Sequence, residues 1–111
     1  MQDTQEGNNR SEKMQEVIRK AAAEYLVREA NPQSLITVTR VDMGNDGKSA
    51  NIFLSVFPTT LEEQAVAFAN RHRGDFGDFY KKQRRGAYPP KVEFFVDMGE
   101  KNRQRMDELS S

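Results

Sequence analysis

The sequence predicts an α+β domain in the order helix, strand, strand, helix, helix, strand. Three observations predict it: an apolar helix face, a pair of strand segments around a glycine-rich turn, and two short helical segments before a last strand. Because the helical pair separates the second strand from the third, we expect those two strands to be parallel. The 111 residues leave room for one three-stranded mixed sheet with its helices packed on one face.

The first helix is predicted after a polar segment, 1–10, that has little to bury and is expected to be a flexible tail. Ser11 is the expected N-cap, with Glu12 in the first turn, and Pro32 ends the helix. Apolar residues at spacings of three and four form its buried face: Met14, Val17, Ile18, Ala21, Tyr25 and Leu26.

A β-hairpin is predicted next. Residues 35–43 are rich in β-branched side chains, residues 44–47 carry a dense turn signal, and residues 50–57 alternate between two faces. One face is aliphatic, with Ala50, Ile52, Leu54 and Val56, and the other carries Phe53 and Phe57. Phe95 of the last strand is expected to join those two rings. Helices need only one face of the sheet, and the sequence leaves open which set stays partly exposed; aromatic rings there could stack on RNA bases but more often pack against a helix.

The two short helical segments are separated at Gly74, and Asp75 is the candidate N-cap of the second. Gly86 and the pair 89–90 end the second segment, and residues 91–97 form the third strand. The apolar faces are Leu61, Ala65, Phe68, Ala69 and His72 in the first segment, and Phe76, Phe79, Tyr80 and Gln83 in the second.

The predicted division of the chain is therefore a tail at 1–10, one domain at 11–97, and a polar tail at 98–111. In the second tail only Met106 and Leu109 could dock on the domain.

Charge is unevenly distributed. The formal net charge is zero, but residues 71–91 hold seven basic and two acidic residues, which gives +5 there and −5 for the remainder. The basic residues are Arg71, Arg73, Lys81, Lys82, Arg84, Arg85 and Lys91. At about 100° per residue, the cluster between 81 and 85 lies opposite the apolar face of its helix. A solvated helix end and a polyanion-binding face both explain such a run, so both interpretations stay open.

Two local patterns bear on nucleic-acid binding. The run Gly74-Asp75-Phe76-Gly77 matches the G-x-x-G pattern of a K-homology loop that clamps nucleotide backbone. A carboxylate repels phosphate, so we prefer a helix stop at Gly74 and an N-cap at Asp75. His72, the single histidine, lies on an apolar helix face, where we expect it to pack at the kink or cap carbonyls rather than stack on RNA.

The composition argues against several classes of site. The chain has no cysteine and one histidine, which excludes thiolate and histidine-rich metal sites. The N-terminal residues contain no apolar run, and no catalytic constellation is visible. We therefore expect a cytoplasmic, monomeric, non-enzymatic protein without metal, cofactor, membrane or small-molecule substrate.

Four motifs in order carry a family resemblance: LITVTRV at 35–41, ANIFLSV at 50–56, PKVEFFVD at 90–97 and MDEL at 106–109. From near Glu12 onward the chain resembles the ribosome-binding factor A family of bacterial small-subunit maturation factors. The resemblance implies a non-enzymatic type II K-homology-like domain, αββααβ. In that family the G-x-x-G loop is replaced by an Ala-x-Gly kink, and the matching residues here are His72-Arg73-Gly74, with histidine in place of alanine.

The resemblance also implies a function. The family binds ribosomal RNA of the immature small ribosomal subunit and assists its late maturation. The expected RNA-binding residues are Arg71, His72, Arg73, Gly74, Lys81, Lys82, Arg84, Arg85 and Lys91, with Arg40 and Lys48 as additions. The alternative is a K-homology-like protein-interaction module that does not bind RNA.

Overall fold

A computed structural model describes the backbone of residues 2–99 and the side chains of residues 12–99. The elements are α1 (Gln2–Glu29), β1 (Leu35–Met43), β2 (Ser49–Phe57), a 3-10 turn (Thr59–Leu61), α2 (Glu62–Arg71), α3 (Arg73–Gln83) and β3 (Lys91–Val96). The predicted order αββααβ is confirmed. Strand β2 lies in the centre of the sheet, antiparallel to β1 and parallel to β3, which confirms the mixed three-stranded sheet.

The hairpin turn is closed by its glycines. The Gly44 N–H donates to the Ser49 carbonyl at 2.8 Å, and the Gly47 N–H donates to the Gly44 carbonyl at 3.0 Å. Gly47 adopts φ +70°, a left-handed conformation that favours glycine. Asp46 accepts a hydrogen bond from the Lys48 N–H, which completes a turn that the sequence signalled clearly.

Strand β1 contains a bulge that the sequence did not predict. Val38 pairs with Leu54, but Arg40 pairs with Phe53, so Thr39 is the additional residue. The bulge shifts the alternation by one, and Val38 and Val41 are both buried although they are three positions apart in the sequence. The Thr39 hydroxyl donates to the Asp97 carboxylate at 2.6 Å, which ties the bulge to the end of β3.

One core lies between the sheet and the helices. The aliphatic face of β2 is buried against α1, α2 and α3, whereas Phe57, on the other face, is 70% exposed. The question that the sequence left open is thereby settled: the aliphatic set faces the helices. Phe53 and Phe95 stack on each other on the opposite face, with ring centroids 5.6 Å apart.

Helix α1 begins at Gln2, so the prediction that Ser11 caps it is wrong. No proline interrupts residues 2–10, and the helix extends N-terminally from its buried part through the segment expected to be a tail. The side chains of residues 2–11 lie outside the described part, as do Met106 and Leu109. The domain boundaries at residues 10 and 97 stay predictions.

Asp75 does not cap α3, because the helix already begins at Arg73 with His72 at the N-cap position. In the first turn, where a carboxylate favours the helix dipole, Asp75 instead accepts a hydrogen bond from the Tyr25 hydroxyl at 2.6 Å. Burial and this hydrogen bond raise the pKa of Tyr25 well above its ordinary range. The contact joins α1 to α3 across 50 residues of sequence.

The outer edge of β3 is capped by a side chain. The Asn70 amide of α2 donates to the Phe94 carbonyl at 3.0 Å and accepts from the Phe94 N–H at 2.9 Å. This side chain makes the two hydrogen bonds that a further strand would make. It therefore fixes α2 beside β3 and blocks strand addition at this position.

We expect Asp75→Ala to destabilise the domain more than Tyr25→Phe does. Asp75→Ala removes the acceptor of the Tyr25 hydroxyl. Because Tyr25 is 3% exposed, this hydroxyl is left buried without that acceptor, which should lower the free energy of unfolding by about 1–3 kcal/mol. Tyr25→Phe leaves a carboxylate that water reaches, at a cost of about 0.5–1.5 kcal/mol. Urea unfolding followed by circular dichroism measures both, and the reverse order would contradict this account.

Asn70→Ala should lower the free energy of unfolding by about 1–3 kcal/mol, because two backbone groups of Phe94 lose their partners. Gln64→Ala, an exposed change on the same helix, is the matched control and should stay within about 0.5 kcal/mol. Thermal and urea unfolding check both variants. Equal stability of the two variants would show that the amide clamp on β3 is dispensable.

Candidate nucleic-acid interface

All seven basic residues predicted from the segment 71–91 are exposed in the structure. Within the described residues the salt bridges are Arg19–Glu16 and Arg40–Asp42, and neither includes a member of this set. Their charges are therefore available to an external partner. The seven do not form a single patch, however, and the fold brings only some of them together.

Arg73, Lys81 and Lys91 lie around one groove of about 500 Å³ between α3 and the start of β3. Arg73 and Lys81 are eight residues apart on α3, which places them about 80° apart around the helix axis, and both border the groove. Asp78 is the acidic residue in the lining, which leaves three cations against one carboxylate. The groove therefore carries a net positive charge and has room for a phosphate backbone.

The groove is shaped by small and rigid residues. Gly74 and Gly77 line the α3 side, and Pro89 and Pro90 line the other side. A Cβ atom on Gly77 would lie 3.6 Å from Pro89 Cγ, so the two walls are already in contact distance there. The Arg73 Nε–H donates a hydrogen bond to the backbone carbonyl of Asn70 at 3.0 Å, which holds this cation at the N-terminal end of α3.

The remaining predicted cations lie elsewhere. Arg71 borders a separate pocket of about 450 Å³ together with Ile36, Leu61 and Phe68. Arg84 borders a depression between α3 and α1. Lys82 and Arg85 are exposed beyond the groove. The sequence placed Arg71 and Arg73 together before the kink, and the structure separates them because the kink lies between them.

The kink itself is formed by His72. Helix α2 ends at Arg71 and α3 begins at Arg73, so His72 is the one residue between them, with φ −102° and ψ 21°. Its N–H donates to the Phe68 carbonyl at 3.1 Å, and its ring lies 4.2 Å from the Phe68 ring. The expected packing role of His72 at the kink is confirmed.

Gly74 is the second residue of α3, so the expected helix stop at Gly74 is wrong, although the kink does fall within His72-Arg73-Gly74. The G-x-x-G pattern is helical and forms no loop. The physical reason is that His72 already provides the break, and Gly74 does not need a positive φ. Gly74 and Gly77 instead leave space along the groove wall.

Arg40 and Lys48, the two cations added to the predicted set, have different surroundings. Lys48 lies beside Lys91, since the Lys91 N–H donates to the Lys48 carbonyl at 2.9 Å. Arg40 lies on the open face of the sheet, with its guanidinium carbon 4.2 Å from the centroid of the Phe53 ring and Asp42 at 3.4 Å. Lys48 therefore lies close to the groove, in the lining of a neighbouring pocket that also contains Pro89 and Pro90, whereas Arg40 lies on a different surface.

The sequence prediction missed Tyr88, which is 91% exposed beside Pro89. The available signal was an aromatic residue before a proline pair, flanked by cations on both sides.

Residues 12–99 contain no group of three or more possible metal ligands among their histidine and carboxylate side chains. In the part of the chain that the structure describes, no helix combines the length and apolar character needed to cross a bilayer.

Comparisons with known proteins give a consistent result. The family model of ribosome-binding factor A matches residues 10–110. A ribosome-binding factor A from Coprothermobacter proteolyticus is 24% identical over 102 residues, covering 90% of this chain and 74% of that relative.

Two solved structures and one fitted homology model share the fold. The crystal structure of ribosome-binding factor A from Thermus thermophilus has a TM-score of 0.67 at 22% identity, covering 78% of this chain and 94% of the other. A solution structure of a candidate ribosome-binding factor A from Thermotoga maritima has a TM-score of 0.63 at 27% identity, covering 78% and 85%. A homology model of the Thermus thermophilus ribosome-binding factor A, fitted into the cryo-EM map of a complex of 30S with that factor, has a TM-score of 0.62 at 24% identity, covering 71% and 86%.

Gly74→Ala should not weaken the kink and should stabilise the domain by up to about 1 kcal/mol. A Cβ atom at this position meets nothing within 4 Å, and alanine favours the helical conformation more than glycine does. The melting temperature measures the effect, with Gly77→Ala, whose Cβ would contact Pro89, as the comparison. A loss of stability in Gly74→Ala would show that the glycine is needed for the break.

Proposed function

Because the chain belongs to the ribosome-binding factor A family, we propose that it is a cytoplasmic ribosome-assembly factor that binds ribosomal RNA of the immature small subunit and assists its late maturation. The observation that carries this proposal is the groove in which Arg73, Lys81 and Lys91 gather. The family includes a relative whose coordinates were fitted into a 30S complex, which supports the small subunit as the partner.

The groove suits a phosphate backbone better than a charged small molecule. It is open along its length, and its cations come from two elements, α3 and β3. Cations in such an arrangement neutralise successive phosphates and release their counterions, so binding should weaken steeply with salt. The rest of the chain sums to −5, which limits nonspecific adhesion to RNA elsewhere on the surface.

The mechanism that follows is occupancy. The domain binds one arrangement of the immature RNA better than the others, and this difference in affinity shifts the RNA toward that arrangement. No bond needs to be made or broken, so the proposed mechanism requires neither catalysis nor a cofactor. The proposed acting form is a monomer. The remaining cations of the predicted set, Arg71, Lys82, Arg84 and Arg85, would contact RNA that extends beyond the groove.

The alternative function is a protein-interaction module. The observation that favours it is the pocket of about 450 Å³ bordered by Ile36, Leu61 and Phe68, with Arg71 and Glu63 at its polar side. An apolar pocket with one cation and one carboxylate is typical of a protein contact. Capture of a protein partner that survives nuclease treatment, without recovery of RNA, would favour this alternative.

The double change Lys81→Glu with Lys91→Glu should weaken binding to purified small subunits by at least about tenfold and reduce the salt dependence, because two phosphate contacts are lost. The matched control is Lys13→Glu with Arg28→Glu on α1, which lowers the net charge equally at exposed positions away from the groove and from the depression at Arg84. Co-sedimentation between about 50 and 200 mM salt measures both.

The control should bind within about threefold of the unchanged protein, since net charge alone acts weakly at these salt concentrations. Equal binding by the groove variant and the unchanged protein would contradict the proposed function. Equal losses in the two variants would show that total charge, and not the groove, determines binding.

A further inference from the structure

We infer that Tyr88 is a stacking residue for one unpaired nucleobase of the RNA strand that lies in the groove. This inference rests on the proposed function and deepens it, because it names the kind of RNA bound. The phosphate groove can hold paired or unpaired RNA, whereas a base that stacks on Tyr88 must be free of its helix. Tyr88 would therefore select single-stranded RNA at this end of the domain.

The Tyr88 ring is exposed to solvent. The side chain is 91% exposed, the highest value among the large apolar residues that the structure describes. Tyr25 and Tyr80, the other two tyrosines, are 3% and 1% exposed and belong to the core. One exposed aromatic ring is common on protein surfaces, so its surroundings must decide whether it binds a ligand.

The backbone around Tyr88 is fixed on both sides. Before it, Gly86 turns the chain with φ +81°, the Ala87 N–H donates to the Arg84 carbonyl at 3.0 Å, and Ala87 packs against the core. After it, Pro89 restricts Tyr88 to extended backbone and lies against Gly77. An exposed ring on a fixed backbone loses little conformational entropy when a base stacks on it.

A small pocket lies next to the Tyr88 ring. Tyr88 borders a cavity of about 130 Å³ whose other walls include Met14, Met43 and Tyr80. Methionine sulfur atoms and aromatic rings favour planar unsaturated ligands. The cavity has room for one such ring, and Lys48 lies at its rim.

This pocket adjoins the groove. Pro89 and Pro90 line both, so the proline pair is the ridge that separates the base pocket from the phosphate groove. A strand whose phosphates follow Lys81 and Lys91 can place one base across this ridge against Tyr88. Lys48 lies next to Lys91 through a backbone hydrogen bond of 2.9 Å and adds positive charge on the pocket side.

The charges around the pocket favour a polyanion over a neutral segment, and the exposed ring beside them favours RNA. Arg84 and Arg85 precede Tyr88 and Lys91 follows it, and all three are exposed. Asp46 is the nearby carboxylate of the hairpin turn, where it accepts a hydrogen bond from the Lys48 N–H. The combination of an aromatic platform and several cations is the arrangement by which proteins hold single-stranded nucleic acid.

Tyr88→Ala should weaken binding of a labelled single-stranded RNA of about ten nucleotides by roughly 5- to 150-fold, the loss expected for one stacked base. Tyr88→Phe keeps the ring and should bind within about twofold. Binding of the same strand in a complete duplex should not change in either variant. Fluorescence anisotropy at fixed salt measures all three proteins with both RNAs.

The salt dependence separates the two kinds of contact. Tyr88→Ala should leave the slope of binding against salt unchanged, because no phosphate contact is lost, whereas Lys81→Glu with Lys91→Glu should reduce it. Stacking at Tyr88 is overturned if the Tyr88→Ala variant binds the single strand as tightly as the unchanged protein does. It is also overturned if the variant loses as much affinity for the duplex as for the single strand. The proposed function is tested separately, by the binding of the Lys81→Glu with Lys91→Glu variant to small subunits.

A direct reporter is available because the chain contains no tryptophan. Tyr88→Trp introduces a single indole whose emission should be quenched when the single-stranded RNA binds, and the duplex should not quench it. Quenching that saturates together with the anisotropy supports the stack. Full binding without any change in emission would refute it.

Discussion

The position of α3 depends on Phe76, and the candidate site depends on the position of α3. The Phe76 ring is 1% exposed and lies within 6.3 Å of three other rings, those of Tyr25, Tyr80 and Phe94. These rings belong to α1, α3 and β3, so one side chain joins three elements. Phe76 and Tyr80 hold α3 against the core, and Arg73 and Lys81, which are exposed on the same helix, border the groove toward the start of β3. The hydrogen bond from Tyr25 to Asp75 prevents rotation of the helix about this anchor.

The elements could be predicted from the sequence because their signals are local. β1 was predicted with the bounds that the structure shows, since β-branched residues precede a turn of two glycines. The bulge at Thr39 could not be predicted, because it depends on the register with β2 and on the carboxylate of Asp97. The helix break was placed at Gly74 on propensity. The structure breaks at His72 instead, where ring packing on Phe68 is a tertiary contact that the sequence does not display.

The sequence predicted which basic residues are exposed, but it did not predict which of them lie together. Counting charges identified seven cations, and all are exposed. Their grouping follows from three-dimensional contacts: the break at His72 separates Arg71 from Arg73, and the parallel pairing of β3 with β2 brings Lys91 to the groove beside α3. Tyr88 illustrates the same limit. Its exposure follows from the turn at Gly86 and from the contact of Pro89 with Gly77, and neither is visible as a pattern of residue types.

The open face of the sheet offers a second aromatic surface, and its charges explain why the RNA is assigned to the groove. Arg40, Phe53 and Phe95 form one row across the strands, and Asp42, Asn51 and Glu93 form the next. The guanidinium of Arg40 already lies over Phe53 and beside Asp42, so its charge and one face of that ring are engaged within the domain. These two rows hold one cation and two carboxylates, the opposite balance to the groove. A phosphate backbone on the open face would pass two carboxylates to reach two rings, whereas in the groove it meets cations along its length and reaches Tyr88 across the proline ridge.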